Sequence, residues 1–307
     1  MATATAPGAS SPLVGSRARR RREAWIARAF FAAALVSVLI TAFIILTVFE
    51  QAVEFLLKID LSQLVAPGWF PRRGMFDIAT LLLGTLMVTM IAMLIAGPIG
   101  ILSAIYLSEY ASPRVRGTVK PILEILAGIP SVVLGFFALT FINPTIVQTL
   151  VPGAKGFNLA AAAIAVGILS IPLVATISED SMKAVPQSLR EASYGLGARR
   201  VTTATRVVVP AAISGIVAAI ILGVSRAVGE TMVVAIAAGQ GPNLTFNPFR
   251  SAETMTGHMV RISGGDLSYD SIDYNSIFAI GLLLFLITFV LNIISQRIVR
   301  RFREVYD

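Results

Sequence analysis

Apolar runs separated by short charged or turn-rich segments dominate the pattern of this chain. Six stand out, at 29–49, 78–107, 121–142, 159–177, 207–238 and 277–298. At about 1.5 Å of helix per residue, each is long enough to cross a hydrocarbon layer of roughly 30 Å. The second and fifth exceed what one upright span needs. Gly97-Pro98 is expected to break the second, and Gly229-Glu230 to interrupt the fifth, leaving tilted or bent helices. The first run is longer than the about 7–15 apolar residues of a signal peptide and ends in the bulky ILTVF, so a retained span is expected. The pattern predicts an all-α integral membrane protein with six transmembrane helices.

Composition agrees. Of 307 residues, 56% are hydrophobic and 14% charged, where a soluble domain carries roughly a quarter charged. There is no cysteine and a single histidine, His258. Thiol redox chemistry, disulfides, Cys/His zinc sites and histidine-based nucleophile pairs are thereby excluded.

Charge placement gives the topology. With the N-terminus inside, the inner segments hold eighteen of the 25 Lys and Arg: the arginine cluster before the first span, then Arg114, Arg116, Lys120, Lys183, Arg190, Arg199, Arg200, Arg206 and the basic tail. The outer segments hold Lys58, Arg72, Arg73, Lys155, Arg250 and Arg261, and Arg226 falls within the fifth run. This bias predicts cytoplasmic N- and C-termini in a cell membrane. It also accounts for the net charge of +8 through the lipid bilayer, without nucleic acid as a partner. Residues 1–28 are expected to be a disordered basic cytoplasmic N-terminus, 29–301 a six-span domain and 302–307 a cytoplasmic tail. The outer segments 50–73 and 240–276, the latter with Asp266, Asp270 and Asp273, read as solvated loops or as surfaces for an external partner.

The most charged stretch between two apolar ones is EASYGLGARRVTTATRVVVP, from Glu191 to Pro210. Pro186 suits a helix start, Gly197 a left-handed cap, and the residues from Arg199 a second helix running into span five. The result is a rigid elbow, 183–210, with the small residues Ala192, Ser193 and Gly195 at its tip and Glu191 beside them. A basic loop lying on anionic lipid is the plainer reading of the same residues. Spacing favours the elbow. Glu191-Ala192-Ser193, three residues, Gly197, nine residues and Val207-Val208-Val209-Pro210 resemble the cytoplasmic signature of permease subunits of ATP-binding-cassette (ABC) importers. Ser193 replaces the signature's second Ala, and Val207 and Val209 its Ile and Leu. The resemblance implies the type I importer permease fold and an elbow that docks into a separate ATPase. No G-x-x-x-x-G-K-[ST] loop occurs, so ATP is expected to be hydrolysed by partner subunits and no cofactor to be bound by this chain.

The fifth run carries Arg226, Glu230 and Thr231. Charge at that depth needs a partner or a polar path. Four residues apart on one helix, Arg226 and Glu230 are expected to share a face, either neutralising each other or offering the guanidinium to a passing anion. LAGIPSVVLGFFAL, SEDSMKAVP and SRAVGETMVV resemble the phosphate-specific permeases, closer to the C-type (PstC) than to the A-type (PstA) subunit. That likeness implies a phosphate pathway through Arg226 and Glu230. It also implies a second six-span permease of the A-type, two ATPase subunits and an external phosphate-binding protein as partners. Glu124, near the start of the third run, is expected at the cytoplasmic interface, and Gly128, Pro130 and Ser131 are expected to bend that span. Other oxyanions, such as molybdate, tungstate or sulfate, fit the same elbow. An ion-coupled carrier using Glu124 and Glu230 fits the spans but gives the elbow nothing to dock.

Overall fold

The structure, a computed structural model, describes residues 17–65, 68–70, 73–241, 243–265 and 271–302. Of residues 1–28, expected to be disordered, 1–16 lie outside them, as do the tail 303–307, Arg72, Asp266 and Asp270, whereas 17–28 are helical. The chain forms two compact units, Met1–Glu50 and Gln51–Asp307. The first contains most of helix α1 (Arg17–Lys58), and no residue of its most apolar stretch is buried. An apolar surface all the way round is what a lipid-facing helix presents.

In the second unit, α1 ends against a two-strand hairpin, β1 (Trp69–Phe70) and β2 (Met75–Phe76), paired antiparallel. Then follow α2 (Ile78–Tyr110), α3 (Pro113–Ala127), α4 (Ser131–Leu150), α5 (Leu159–Lys183), α6 (Gln187–Gly195), α7 (Arg200–Ala211), α8 (Ile213–Val228), α9 (Met232–Ala237), α10 (Met255–Ser263) and α11 (Ile272–Phe302). Among the described residues, five helices are long and apolar enough to cross a membrane, and the pair α7 and α8 makes a sixth if counted as one bent span.

Small residues set how the spans pack. A Cβ at Gly167 on α5 would meet Ala92 O at 3.0 Å, and one at Gly100 on α2 would meet Val174 Cβ at 2.8 Å. Residue numbers rise together across these contacts, so α2 and α5 run parallel. Gly97 faces Ile220 and Gly223 faces Met93, so α8 runs antiparallel to α2. The second, fourth and fifth spans thus run in the relative directions that the order of the apolar runs requires. With no hydrophobic drive in lipid, close backbone approach of this kind supplies much of the cohesion. The α5 stretch Ala160, Ala161, Ala162, Ala163 is buried throughout, in a core it shares with α2, α4 and α9.

Three expectations need correction. Pro98 sits inside α2 without ending it; a proline in a packed membrane helix need not break it, because neighbours re-satisfy the freed backbone groups. The third span is Ser131–Leu150 rather than 121–142, because Gly128-Ile129-Pro130 separates it from α3. Helix α3 is an amphipathic surface element with no buried residue, and it carries Glu124 outside any span. The fifth span is not continuous with the elbow, since the chain bends by 72° between α7 and α8 at Ala212.

The bundle has two distinct ends. One holds the starts of α2 and α5 with the hairpin and α10; the other holds the ends of α2 and α5 with α3 and α6. The segment expected as a solvated loop at 240–276 is largely built into the first end. Trp69 Nε1 donates to His258 Nε2 at 2.9 Å, and Glu253 takes Arg261 Nε at 2.6 Å and lies 3.2 Å from His258 Nδ1. Burial works to raise the Glu253 carboxyl, but hydrogen bonds from His258 and Arg261 outweigh it and hold the group below its usual 4.5.

Gly100→Val tests the close approach of α2 and α5. Overpacking there is expected to cost about 1–3 kcal/mol and to lower the melting temperature in detergent, while Gly117→Ala, with nothing within 4 Å of the added Cβ, does not lower it. Equal melting of both variants would contradict the packing.

Candidate functional site

The elbow forms as the residues dictate. Pro186 caps α6, whose nine residues end before Gly197 in a left-handed turn, φ +78°. A Cβ there would meet nothing within 4 Å, so backbone conformation and not space calls for glycine. Arg199 then caps α7, which carries a wide π-helical turn at Ala204–Val208 and Pro210 near its end. The hydroxyls of Ser193 and Thr203 lie 2.9 Å apart and staple the two helices. Glu191, Ala192, Gly197 and Pro210 are exposed, and Leu196 at the tip is 89% exposed.

Beneath this tip lies a buried charge pair. Arg190 on α6 is 9% exposed and donates Nη2 to Glu109 Oε1 at 2.9 Å. Its Nη1 reaches Val185 O at 2.6 Å and Nη2 reaches Met182 O at 2.8 Å. One guanidinium therefore ties the elbow to the last turn of α2 and bonds two carbonyls at the end of α5. Arg116 on α3 does the same for α2, donating Nε to Leu107 O at 2.9 Å and Nη2 to Ser108 O at 3.0 Å. Close by, the buried Glu179 carboxylate has Arg116 Nε at 3.6 Å, Lys120 Nζ at 3.5 Å and Lys183 Nζ as its nearest cation. Neither oxygen has a directed hydrogen bond, so charge attraction holds it. The hydrogen bond from Lys120 to Asp180 raises the lysine above its ordinary 10.5; burial opposes this and the charge of Glu179 adds to it.

The second group of residues sits where α8 stops. Gly229 ends that helix, so Arg226 and Glu230 do not share a helical face, and no ion pair joins them among the described residues. Glu230 turns the other way. Its Oε1 accepts from Val233 N at 3.3 Å, capping α9, and its carbonyl accepts from Thr256 Oγ1 at 2.6 Å. Thr231 donates its hydroxyl to Gly229 O at 3.0 Å. Arg226 is left exposed on this chain, beside the buried and unbonded Ser225 hydroxyl. An arginine cannot shed its charge, so in an apolar span it calls for an anion, a second chain or water. The structure keeps the two groups of residues apart. About 20 Å of helix, from Ile213 to Arg226, lies between the bend and the arginine.

Residues 96–304 match the family described as binding-protein-dependent transport system inner membrane component. The chain belongs to this family. It is a membrane permease component of an ABC importer. It is 33% identical to the probable ABC transporter permease protein YqgH of Bacillus subtilis (strain 168), covering 92% of both chains. It is 31% identical to the phosphate transport system permease protein PstC of Mesorhizobium japonicum, covering 88% of both. The permease also superposes on a solved bacterial alginate ABC transporter with a TM-score of 0.66, covering 94% of this chain and 99% of that one at 15% identity. That likeness shows the type I importer permease fold.

Glu109, Glu179, Glu253 and His258 went unrecognised in the sequence as partners of Arg190, Lys183, Arg261 and Trp69. Glu109 and His258 pair with residues 81 and 189 positions away, which no local pattern shows, whereas Glu179 and Lys183 stand four apart on α5 and Glu253 and Arg261 eight apart, so those two pairings had a local signal in their spacing.

Arg190→Ala leaves Glu109 buried and unpaired, at an expected cost of about 3–5 kcal/mol. Hydrogen exchange is expected to rise across 187–197 and at the ends of α2 and α5, but not in the far halves of those helices. Unchanged exchange at 187–197 would show that the pair does not hold the elbow.

Proposed function

We propose that this permease is the C-type subunit of an ATP-driven importer of inorganic phosphate. The observation that carries the proposal is an unpaired arginine at a helix break inside a span, in a chain similar over most of its length to a phosphate permease. A phosphate passing the break meets the Arg226 guanidinium, whose planar fork matches two of its oxygens. Glu230 fixes the break by capping α9, and the carbonyl of Gly229 is bridged by Thr231. Contact there is transient, because a tight site would retain the anion.

The positive-inside bias supports a cytoplasmic elbow and cytoplasmic termini. Glu191, Ala192, Ser193 and Gly197 then face two ATPase subunits that bind and hydrolyse ATP, while this chain itself holds no nucleotide. A second six-span permease of the A-type completes the path, and an external phosphate-binding protein delivers the anion. Closure of the ATPases moves α6 and α7, and the 72° bend passes that movement to α8. The joint is tight: Val208, Ala212 and Ile216 share a buried core with Ala104, Met182 and Val185.

Proteoliposomes holding the complete transporter with internal ATP test the reading. Uptake of phosphate is expected to continue with a protonophore present and to fall on the order of a hundredfold in Arg226→Gln, with assembly and ATP hydrolysis retained. Normal uptake by Arg226→Gln would make the arginine a packing residue, and loss of wild-type uptake on adding protonophore would favour an ion-coupled carrier.

A further inference from the structure

Basic residues are sparse on the face expected outside, and three of the five described there are engaged. Lys58 Nζ pairs with Glu54 at 2.6 Å, Arg261 Nε with Glu253 at 2.6 Å, and Arg73 lies over the Phe70 ring at 5.5 Å. Lys155 and Arg250 differ. Among the described residues, neither side chain has a carboxylate partner within 4.0 Å. Though far apart in sequence, both line one cleft of about 730 Å³, together with Asn243, Thr245 and Ser251 and, among the described residues, no acidic one.

The cleft is built by backbone and not by chance approach of two loops. Lys155 N donates to Phe249 O at 3.0 Å, Leu159 N to Arg250 O at 3.2 Å, and Ala160 N to Pro248 O at 2.8 Å. Asn158 Nδ2 holds Lys155 O at 2.8 Å, and Asn243 Nδ2 holds Ser251 O at 3.1 Å. These bonds occupy peptide groups and leave the two cationic heads free. The nearby Glu253 is turned toward Arg261 and His258. A concave wall with two cations and no carboxylate attracts anions and raises their local concentration. At roughly 30 Å³ per water, it holds an anion with its hydration shell and does not strip it.

We propose that this cleft is a low-affinity collecting site for a hydrated tetrahedral oxyanion, inorganic phosphate being the probe. The inference rests on the import reading, since it places the cleft at the start of the path toward Arg226. Only α9, six residues and about 9 Å long, separates the helix break from the loop that carries Asn243. The loop lies at the end of the bundle opposite the elbow, where the far end of α9 meets the start of α5 through Asn158 N and Ala237 O at 3.1 Å, and the break lies deeper in the span. An anion released here is handed inward along one short helix, against a surface that otherwise offers few free cations.

Phosphorus NMR of inorganic phosphate, titrated at low salt onto the complete transporter in a phosphorus-free maltoside, reads the cleft directly. Lys155→Gln/Arg250→Gln is expected to weaken the phosphate line broadening on the order of tenfold, at an unchanged melting temperature, with Lys155→Arg/Arg250→Lys restoring it. Lys58→Gln is expected to leave it as in wild type. Wild-type broadening in Lys155→Gln/Arg250→Gln would overturn the proposal. So would unchanged broadening combined with weaker capture of the external binding protein, which would make the cleft a protein contact. Arg226→Gln separates the two readings: it is expected to keep the broadening while losing uptake, so normal uptake in that variant counts against the pathway and not against the cleft.

Discussion

A buried arginine and a buried glutamate hold this molecule's working end together. Arg190 and Glu109 meet where α2 and α5 end and α6 begins, and the guanidinium donors used there point at a carboxylate or a carbonyl. Such a pair adds little net stability over a well-packed apolar core, but removing one member is severe. What it supplies is position. Helix α6 has one buried residue, Arg190, so its place on the bundle depends on that side chain more than on apolar packing. An element proposed to take force from another protein gains from a directional anchor.

The route from that anchor to the helix break at Arg226 is jointed. A straight lever from elbow to span five would move Arg226 as a rigid body with the tip. With the 72° bend at Ala212, movement of α7 in the proposed coupling would become rotation or tilt of α8. Gly215 beside the bend is in such close contact with Ser181 that no Cβ fits without displacing that residue. In the proposed coupling, movement at the joint would therefore shift α5 as well, and α5 reaches, over about 37 Å, to the far end of the bundle where Lys155 and Arg250 lie.

Much of this was legible in the order of residues, and the failures have physical causes. Apolar runs located the spans because hydrocarbon thickness leaves little choice of length. The Gly197 turn was readable because only glycine takes φ +78° freely. The third run was placed too early: 121–127 are apolar enough to pass for a span but belong to an amphipathic surface helix, whose charged partners at Glu179 and Asp180 lie on another element. The pairing of Arg226 with Glu230 assumed a helix that Gly229 ends. Buried charge was the least legible feature. A run of sequence shows that Glu109 or His258 is charged or polar, but not that a partner lies 81 or 189 residues away.

Because the chain has no cysteine, one introduced thiol reports a single position, and that makes the docking claim directly measurable. Ala192→Cys, in a complete transporter whose ATPase subunits carry one groove cysteine, is expected to form a disulfide with the ATPase in the presence of ATP. Thr245→Cys, at the other end of the bundle, is expected to form none. Cross-linking of Thr245→Cys but not Ala192→Cys would put the ATPase at the wrong end of the bundle and contradict the account.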